Sequence, residues 1–489
     1  MENKPRWRRE VEAGRLTDRQ FCSFVRKFNT SSVIRQIAEI SAERWSPDPS
    51  ENDFRQMAPW ALAEIARVTI GYGNQYRPDA SRDDIGWLCA AYTAIEDPAL
   101  QGKEPGAVTN FMLRLSHTQF GYQLTQYNEL VRSIALFTQT TPKPEPELKV
   151  LGDGQWQQIV LGCTIPEFVG AASVALAAAT TNKGRLNMSW LDAKSFDELD
   201  ADVDFRVLKQ VLTESFVADT GTFKSALGGA RPKHNAKRSN SFNPLTKTPI
   251  VAGLADDLLV PVPALVLRKA SSLGIYYSGV DSGRHGSTFA KNFSTDVGNL
   301  FEQYVGRQLG LLRNIELHPE IKYNQGQSKS IDWIAVFPEC VVLVEAKSSR
   351  PPEGVRTGDR TSVKEQLTRL SEALDQIDHT ARLVLDRTPD FQKIPDDRPL
   401  IGLAVTMEPW HLSDYTVPDI VGKNWATPAT YWSVADLEHF ASREIERPGQ
   451  VLMTMLDAVQ DGGNPMTLLN DYPPRQNPIL EQAWRETLW

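Results

Sequence analysis

The chain reads as a multidomain protein of the α and α/β classes, an all-α N-terminal domain followed by an αβββαβ domain built on a mixed sheet. Three observations predict this. Its 489 residues exceed what one ordinary core organises, so two or three domains are expected. Over residues 1–240 apolar side chains recur three and four apart, with few β-branched alternations, which is the period of helices. Beyond residue 286 short β-rich runs appear between helices.

Taken in order, Thr17-Asp18-Arg19-Gln20 predicts a capping box that opens a helix through Phe21, Phe24, Val25 and Phe28. Leu62, Ile65, Ala66 and Ile70 continue the pattern, and further helices are expected near 85–95 and 111–137. Pro142-Lys143-Pro144-Glu145-Pro146 reads as a stiff extended connector, splitting the helical domain into two subdomains near 142–154. A second helical group follows from Trp156 to about Ala226, and a basic, turn-rich stretch at 228–241 reads as a loop. Residues 241–285 are expected to link and connect, 286–445 to form the α/β domain, and 446–489 to form a C-terminal tail. Within 286–445, strands are expected at 315–323, 330–337, 341–347 and 400–406. One flanking helix covers about 295–312; the other starts at a capping box, Ser362-Val363-Lys364-Glu365, and buries Val363, Leu367, Leu370, Leu374 and Ile377.

Composition narrows the function. The 41% apolar and 23% charged content is that of a folded globular chain. Cys22, Cys89, Cys163 and Cys340 form no CxxC pair, and the seven histidines show no zinc spacing, so any metal is expected on carboxylates. A net charge of −8 argues against a protein that coats nucleic acid indiscriminately. The apolar stretch 169–180 is too short to span a bilayer and the N-terminus has no signal-peptide core, so no membrane association is expected and the cytoplasm is the default location.

The chemistry concentrates between Ser330 and Lys347. Two apolar runs flank Pro338-Glu339, and a hairpin with those two turn residues sets Asp332 opposite Glu345, Cβ atoms about 5 Å apart. Strand period two puts Lys347 on the face of Glu345. Crowded carboxylates call for a positive partner, and a divalent cation with hard oxygen ligands, Mg²⁺, suits them. Glu302, at the edge of the buried face of the preceding helix, is placed to add a third carboxylate, with Gly298 one turn before it leaving the approach open.

At these residues the chain resembles the PD-(D/E)XK nuclease superfamily, whose αβββαβ core is the restriction-endonuclease-like fold. The family signature, an acid followed by Glu-x-Lys on the next strand, is here Asp332 and Glu345-Ala346-Lys347, within a resemblance covering about residues 290–410. Ile331 stands where the family usually has proline. The resemblance implies Mg²⁺-dependent cleavage of nucleic acid, with Mn²⁺ able to substitute. Asp332, Glu345 and Glu302 would be the ligands and Lys347 the catalytic base or stabiliser. Some members carry a functional Gln in the next helix, for which Gln366 is preferred here over Gln376. Arg350, Arg356 and Arg360, following the catalytic strand, would grip phosphates or simply keep that loop soluble. The expected activity is that of a DNA endonuclease, with bacterial anti-phage defence as the associated setting and the helical domain recognising substrate or a protein partner. The alternatives are an RNA-cleaving nuclease with the same site and a noncatalytic interaction protein on the same fold.

Overall fold

A computed structural model describes residues 5–45, 57–96, 126–192, 204–229, 243–348, 360–409, 422–460 and 464–486, with isolated positions between 111 and 122. The molecule is mixed α and β, predominantly helical, with sheets of mixed strand direction. Helices α1 (Arg6–Ala13), α2 (Asp18–Val25), α3 (Thr30–Arg44), α4 (Pro59–Tyr72) and α5 (Arg82–Thr93) open the chain. Thr17 and Gln20 exchange the two hydrogen bonds of a capping box at the start of α2, and Ser81 with Asp84 does the same at α5. Phe21, Val33, Ile37, Leu62, Ile65 and Leu88 lie in the core of this group.

Next come α6 (Gln126–Phe137), α7 (Gln155–Leu161), α8 (Ile165–Thr181), α9 (Phe205–Val211) and α10 (Thr220–Gly229). By length and composition alone, Gln155–Thr181 is apolar enough to cross a membrane, but 61% of its most apolar window is buried within the protein. The chain turns at Gly162, in the left-handed region at φ +76°, between α7 and α8.

The N-terminal half is not wholly α. Strands β1 (Arg185–Leu186), β2 (Val217–Asp219), β3 (Ile250–Ala252) and β4 (Leu258–Leu259) form a small sheet in the order β1-β4-β3-β2. Strands of two or three residues are too short for hydrophobic periodicity to register. Two of them belong to the segment 241–285, expected as a connector. That segment also supplies α11 (Pro263–Ala270) and α12 (Ser272–Gly279), whose Val266, Leu267, Ala270 and Ile275 are fully buried. It is part of the core. The basic cluster Arg231, Lys233, Lys237 and Arg238 lies outside the described residues.

After the short α13 (Ser282–His285), the second half runs α14 (Ser287–Leu309), β5 (Glu316–Pro319), β6 (Lys322–Tyr323), β7 (Ser328–Lys329), β8 (Trp333–Val336) and β9 (Val341–Lys347). Then follow α15 (Arg360–Leu385), β10 (Leu400–Thr406), β11 (Ala429–Ser433), α16 (Val434–Ala441), α17 (Pro448–Gln460) and α18 (Pro478–Arg485). The main sheet has the order β11-β10-β9-β8-β5, parallel from β11 to β9 and antiparallel from β9 to β5. The expected strand over 315–323 divides, because β6 leaves the sheet to pair with β7 in a separate hairpin. Ser362 lies inside α15, which is already helical at Arg360, so it does not cap that helix.

Strand alternation builds three layers. Ala335, Val342, Val344, Leu403 and Val405 pack with Val297, Phe301 and Val305 of α14, while Ile334, Val336, Val341, Leu343 and Ala404 pack with Leu374, Ile377 and Ala381 of α15. Helix and sheet approach closely at Gly306, where an added Cβ would run into the Trp333 indole. Gly306→Ala is therefore expected to cost about 1–3 kcal/mol by overpacking, read as a lower urea midpoint. An unchanged midpoint would mean that helix and strand separate without loss.

The apolar packing does not divide near residue 240. One continuous core runs from Leu130 of α6 and Phe168 of α8 through Phe301 and Val344 to Leu480 of α18, so the expected C-terminal tail belongs to it. A buried polar network crosses the same junction. Arg132 of α6 grips Glu438 of α16 with two hydrogen bonds, at 2.6 and 2.7 Å; Tyr304 of α14 donates to Glu438 at 2.6 Å. Gln308 donates to the Tyr304 hydroxyl at 3.0 Å and accepts from Asn477 at 2.8 Å.

Candidate functional site

The β8–β9 hairpin turns on Pro338 and Glu339, with Phe337 N–H donating to Cys340 O at 2.9 Å. Arg398 holds the turn by donating to Phe337 O at 2.9 Å. The register pairs Trp333 with Val344 and Val336 with Val341, as a two-residue turn at those positions requires. The ladder stops one pair short of Asp332, whose Oδ2 instead accepts the Ala346 N–H at 2.9 Å.

Glu345 follows Val341 and Leu343 towards α15, its side chain only 4% exposed. Lys347 Nζ donates to Glu345 Oε1 at 2.6 Å and to Gln376 Oε1, on α15, at 2.7 Å. The other Glu345 oxygen, Oε2, is buried with no well-formed hydrogen bond among the described residues, although the Asp332 backbone N–H is near enough to the carboxyl to favour its charged form. Such an oxygen is costly unless a proton or a cation serves it.

Glu302 approaches from α14, on the opposite face of the sheet. Its backbone carbonyl accepts the Trp333 indole N–H at 2.9 Å, which fixes this turn of helix against β8. Its carboxylate ion-pairs with Lys143 Nζ, which also stands 3.8 Å from Glu320. A Cβ on Gly298 would sit 3.5 Å from Ser348 Oγ, an ordinary contact, so this turn of α14 faces the chain just beyond β9.

Burial, then the charge of Asp332, pushes Glu345 up to about 8; the same two causes in the same order push Glu302 up to about 7. Asp332 is raised by burial, against the Ala346 N–H and the ammonium groups of Lys143 and Lys347. Asp332 thus couples two acids that reach the sheet end from opposite layers.

The stability consequence has a definite sign. These carboxyls hold protons in the folded chain at pH values where the unfolded chain, with an ordinary glutamate near 4.5, has released them. Their contribution therefore favours folding at the acid end and is lost as pH rises from about 4.5 to about 8. Glu345→Gln has no such loss, so its Tm relative to wild type should climb across that window in thermal melts. A constant or shrinking difference would contradict the raised value.

Among the described residues no three His, Cys, Asp or Glu side chains stand at metal-ligand spacing; Lys143 pairs with Glu302 and Lys347 with Glu345. The donor chemistry nevertheless fits a hard divalent cation: carboxylate oxygens only, one of them orphaned, with the charge of Asp332 raising the proton affinity of both glutamates.

Of the residues expected from sequence, Asp332, Glu345, Lys347 and Glu302 come to one end of the sheet. Gln376, not the preferred Gln366, meets Lys347; Gln366 lies ten residues earlier in α15, about 15 Å along the axis, with its side chain outside the description. Arg350 and Arg356 fall outside the described residues, and Arg360 opens α15 with its side chain likewise undescribed. The residue not foreseen is Lys143. Its signal was a lone lysine between Pro142 and Pro144, but no local rule says where an extended strap lands.

The chain matches no protein-family model, and no curated protein and no solved structure is detectably similar to it.

Proposed function

We propose that this protein is a Mg²⁺-dependent nuclease that hydrolyses phosphodiester bonds, with DNA as its first substrate and internal cleavage as its mode. The observation that carries the reading is the buried, unpaired oxygen of Glu345, flanked by Asp332 and Lys347 at the end of adjacent strands. The frame supports it, because α14, β5, β8, β9, α15 and β10 follow one another in the αβββαβ order of a restriction-endonuclease-like core.

Asp332, Glu345 and Glu302 would hold the ion. Bound there, Mg²⁺ supplies Lewis-acid polarisation of a phosphate oxygen and acidifies a coordinated water. The chain itself does the rest. Lys347, steadied by Gln376 and Glu345, presents a third N–H that can orient the attacking water or offset the charge growing on the phosphate. Asp332, fixed by the Ala346 N–H, keeps the two glutamates in one electrostatic unit.

Incubation of the full chain with supercoiled plasmid, with Mg²⁺ and with EDTA, tests the reading. Nicked or linear DNA formed only with Mg²⁺ is the expected result. Intact plasmid, single-stranded DNA and RNA alike would overturn it in favour of a noncatalytic interaction protein.

A further inference from the structure

The chain between α6 and α7 is laid along α14 and pinned to it at three levels. Arg307 donates to Ala135 O at 3.1 Å and to Thr140 Oγ1 at 2.9 Å. About two turns nearer the start of the helix, Asn299 Oδ1 accepts Lys143 N–H at 2.9 Å. Further still, Asp296 Oδ2 accepts Val150 N–H and Leu151 N–H at 2.6 and 3.0 Å. Pro142, Pro144 and Pro146 restrict φ between these anchors, so this strap has few conformations in which to wander. Its direction is opposite to that of the helix, which brings Lys143 level with Asn299 and leaves its side chain beside Glu302.

There the ammonium group occupies the place of a counter-cation. It pairs with Glu302 and lies 3.8 Å from Glu320, with the lysine side chain 19% exposed and the two acids 12% and 14%. Glu320 has a second partner in Lys329, at 3.0 Å. Among the described residues Lys143 is the cation paired with the Glu302 carboxylate, whose other side-chain neighbours are Gln303 at 3.4 Å and the Asp332 carboxyl. A divalent ion that is to use Glu302 must take it from this lysine.

We propose that Lys143 is a tethered cation that competes with the divalent ion for Glu302, so that the strap joining α6 to α7 sets how tightly the site holds metal. This rests on the nuclease reading of the site and adds its regulation. Whatever draws the strap off α14, a substrate phosphate attracting Lys143 included, raises the metal affinity of the site. Lys143 is in this sense a positioning residue, acting through Glu302.

Mn²⁺ binding to the full chain, followed by the EPR signal of the free ion, tests this without relying on cleavage. Lys143→Met keeps the aliphatic stem and removes the charge; it should bind Mn²⁺ about fivefold or more tightly than wild type, while Lys143→Arg stays near wild type. Asn299→Ala leaves the ammonium intact but frees the backbone that carries it, and should shift affinity in the same direction by less. Asp332→Asn reports whether the ion sits in this site at all. Unchanged or weaker binding in both Lys143→Met and Asn299→Ala, with Asp332-dependent binding in wild type, would overturn the competition and leave the nuclease reading standing. No Asp332-dependent binding in wild type or in the variants would overturn both.

Discussion

Lys347→Ala is expected to lower Mg²⁺-dependent plasmid cleavage by about a thousandfold, with Glu345→Gln at least as severe. The two substitutions fail for different reasons. Removing the lysine withdraws the side-chain donor that bridges Glu345 and Gln376, so the ground-state geometry loosens and the charge growing on the phosphate loses its counter-charge. Replacing Glu345 keeps the shape but removes the carboxyl whose buried Oε2 has no well-formed hydrogen bond among the described residues, and with it a ligand that a cation would claim in place of the proton. Both variants should fold, since neither side chain lies in the apolar clusters, and circular dichroism melts verify that. Gln376→Ala should be milder, about tenfold, because Lys347 keeps its bond to Glu345. Full cleavage by Lys347→Ala and Glu345→Gln together with a normal fold would remove the assignment of this site.

Arg132→Met should be the most destabilising single change, at about 3–5 kcal/mol in urea unfolding. Glu438 has a fully buried side chain, and its charge is balanced by Arg132 with help from the Tyr304 hydroxyl. Burial and the neighbouring Glu438 carboxylate hold the Tyr304 phenol well above its usual value, so it remains a donor, but a neutral one cannot replace the guanidinium. The double variant Arg132→Met with Glu438→Leu removes both charges and should recover much of the loss, since the desolvation of two ions disappears with them. A mild effect of Arg132→Met alone would mean that water or a relaxed helix reaches Glu438. Because α6, α14 and α16 meet here, the loss would propagate towards Glu302, two residues from Tyr304 on α14.

Much of the candidate site was legible in a segment of fewer than twenty residues. Two apolar runs around Pro338-Glu339 define a hairpin, its turn fixes the register, and the register brings Asp332 and Glu345 together at one end. Glu302 was legible from helical periodicity alone, at the edge of a stripe that includes Val297, Phe301 and Val305. The choice between Gln366 and Gln376 was not, because spacing along α15 does not separate them and only the docking of that helix on β9 brings one of them to Lys347. Short strands such as Val217–Asp219 and Ile250–Ala252 were invisible for a related reason: each gains its identity from a partner elsewhere in the chain.

What the sequence determined by itself is therefore local. Caps, periods and the hairpin follow from interactions between residues a few positions apart, whose geometry the backbone dictates. What only the tertiary structure decided is the joining of the halves. Arg132 and Glu438 are 306 residues apart, and Lys143 and Glu302 lie on elements far apart in the chain, a proline strap and a helix face. Contacts at such separations depend on the whole path of the chain, and the low-dielectric junction where they meet does not exist until the core that excludes water has formed.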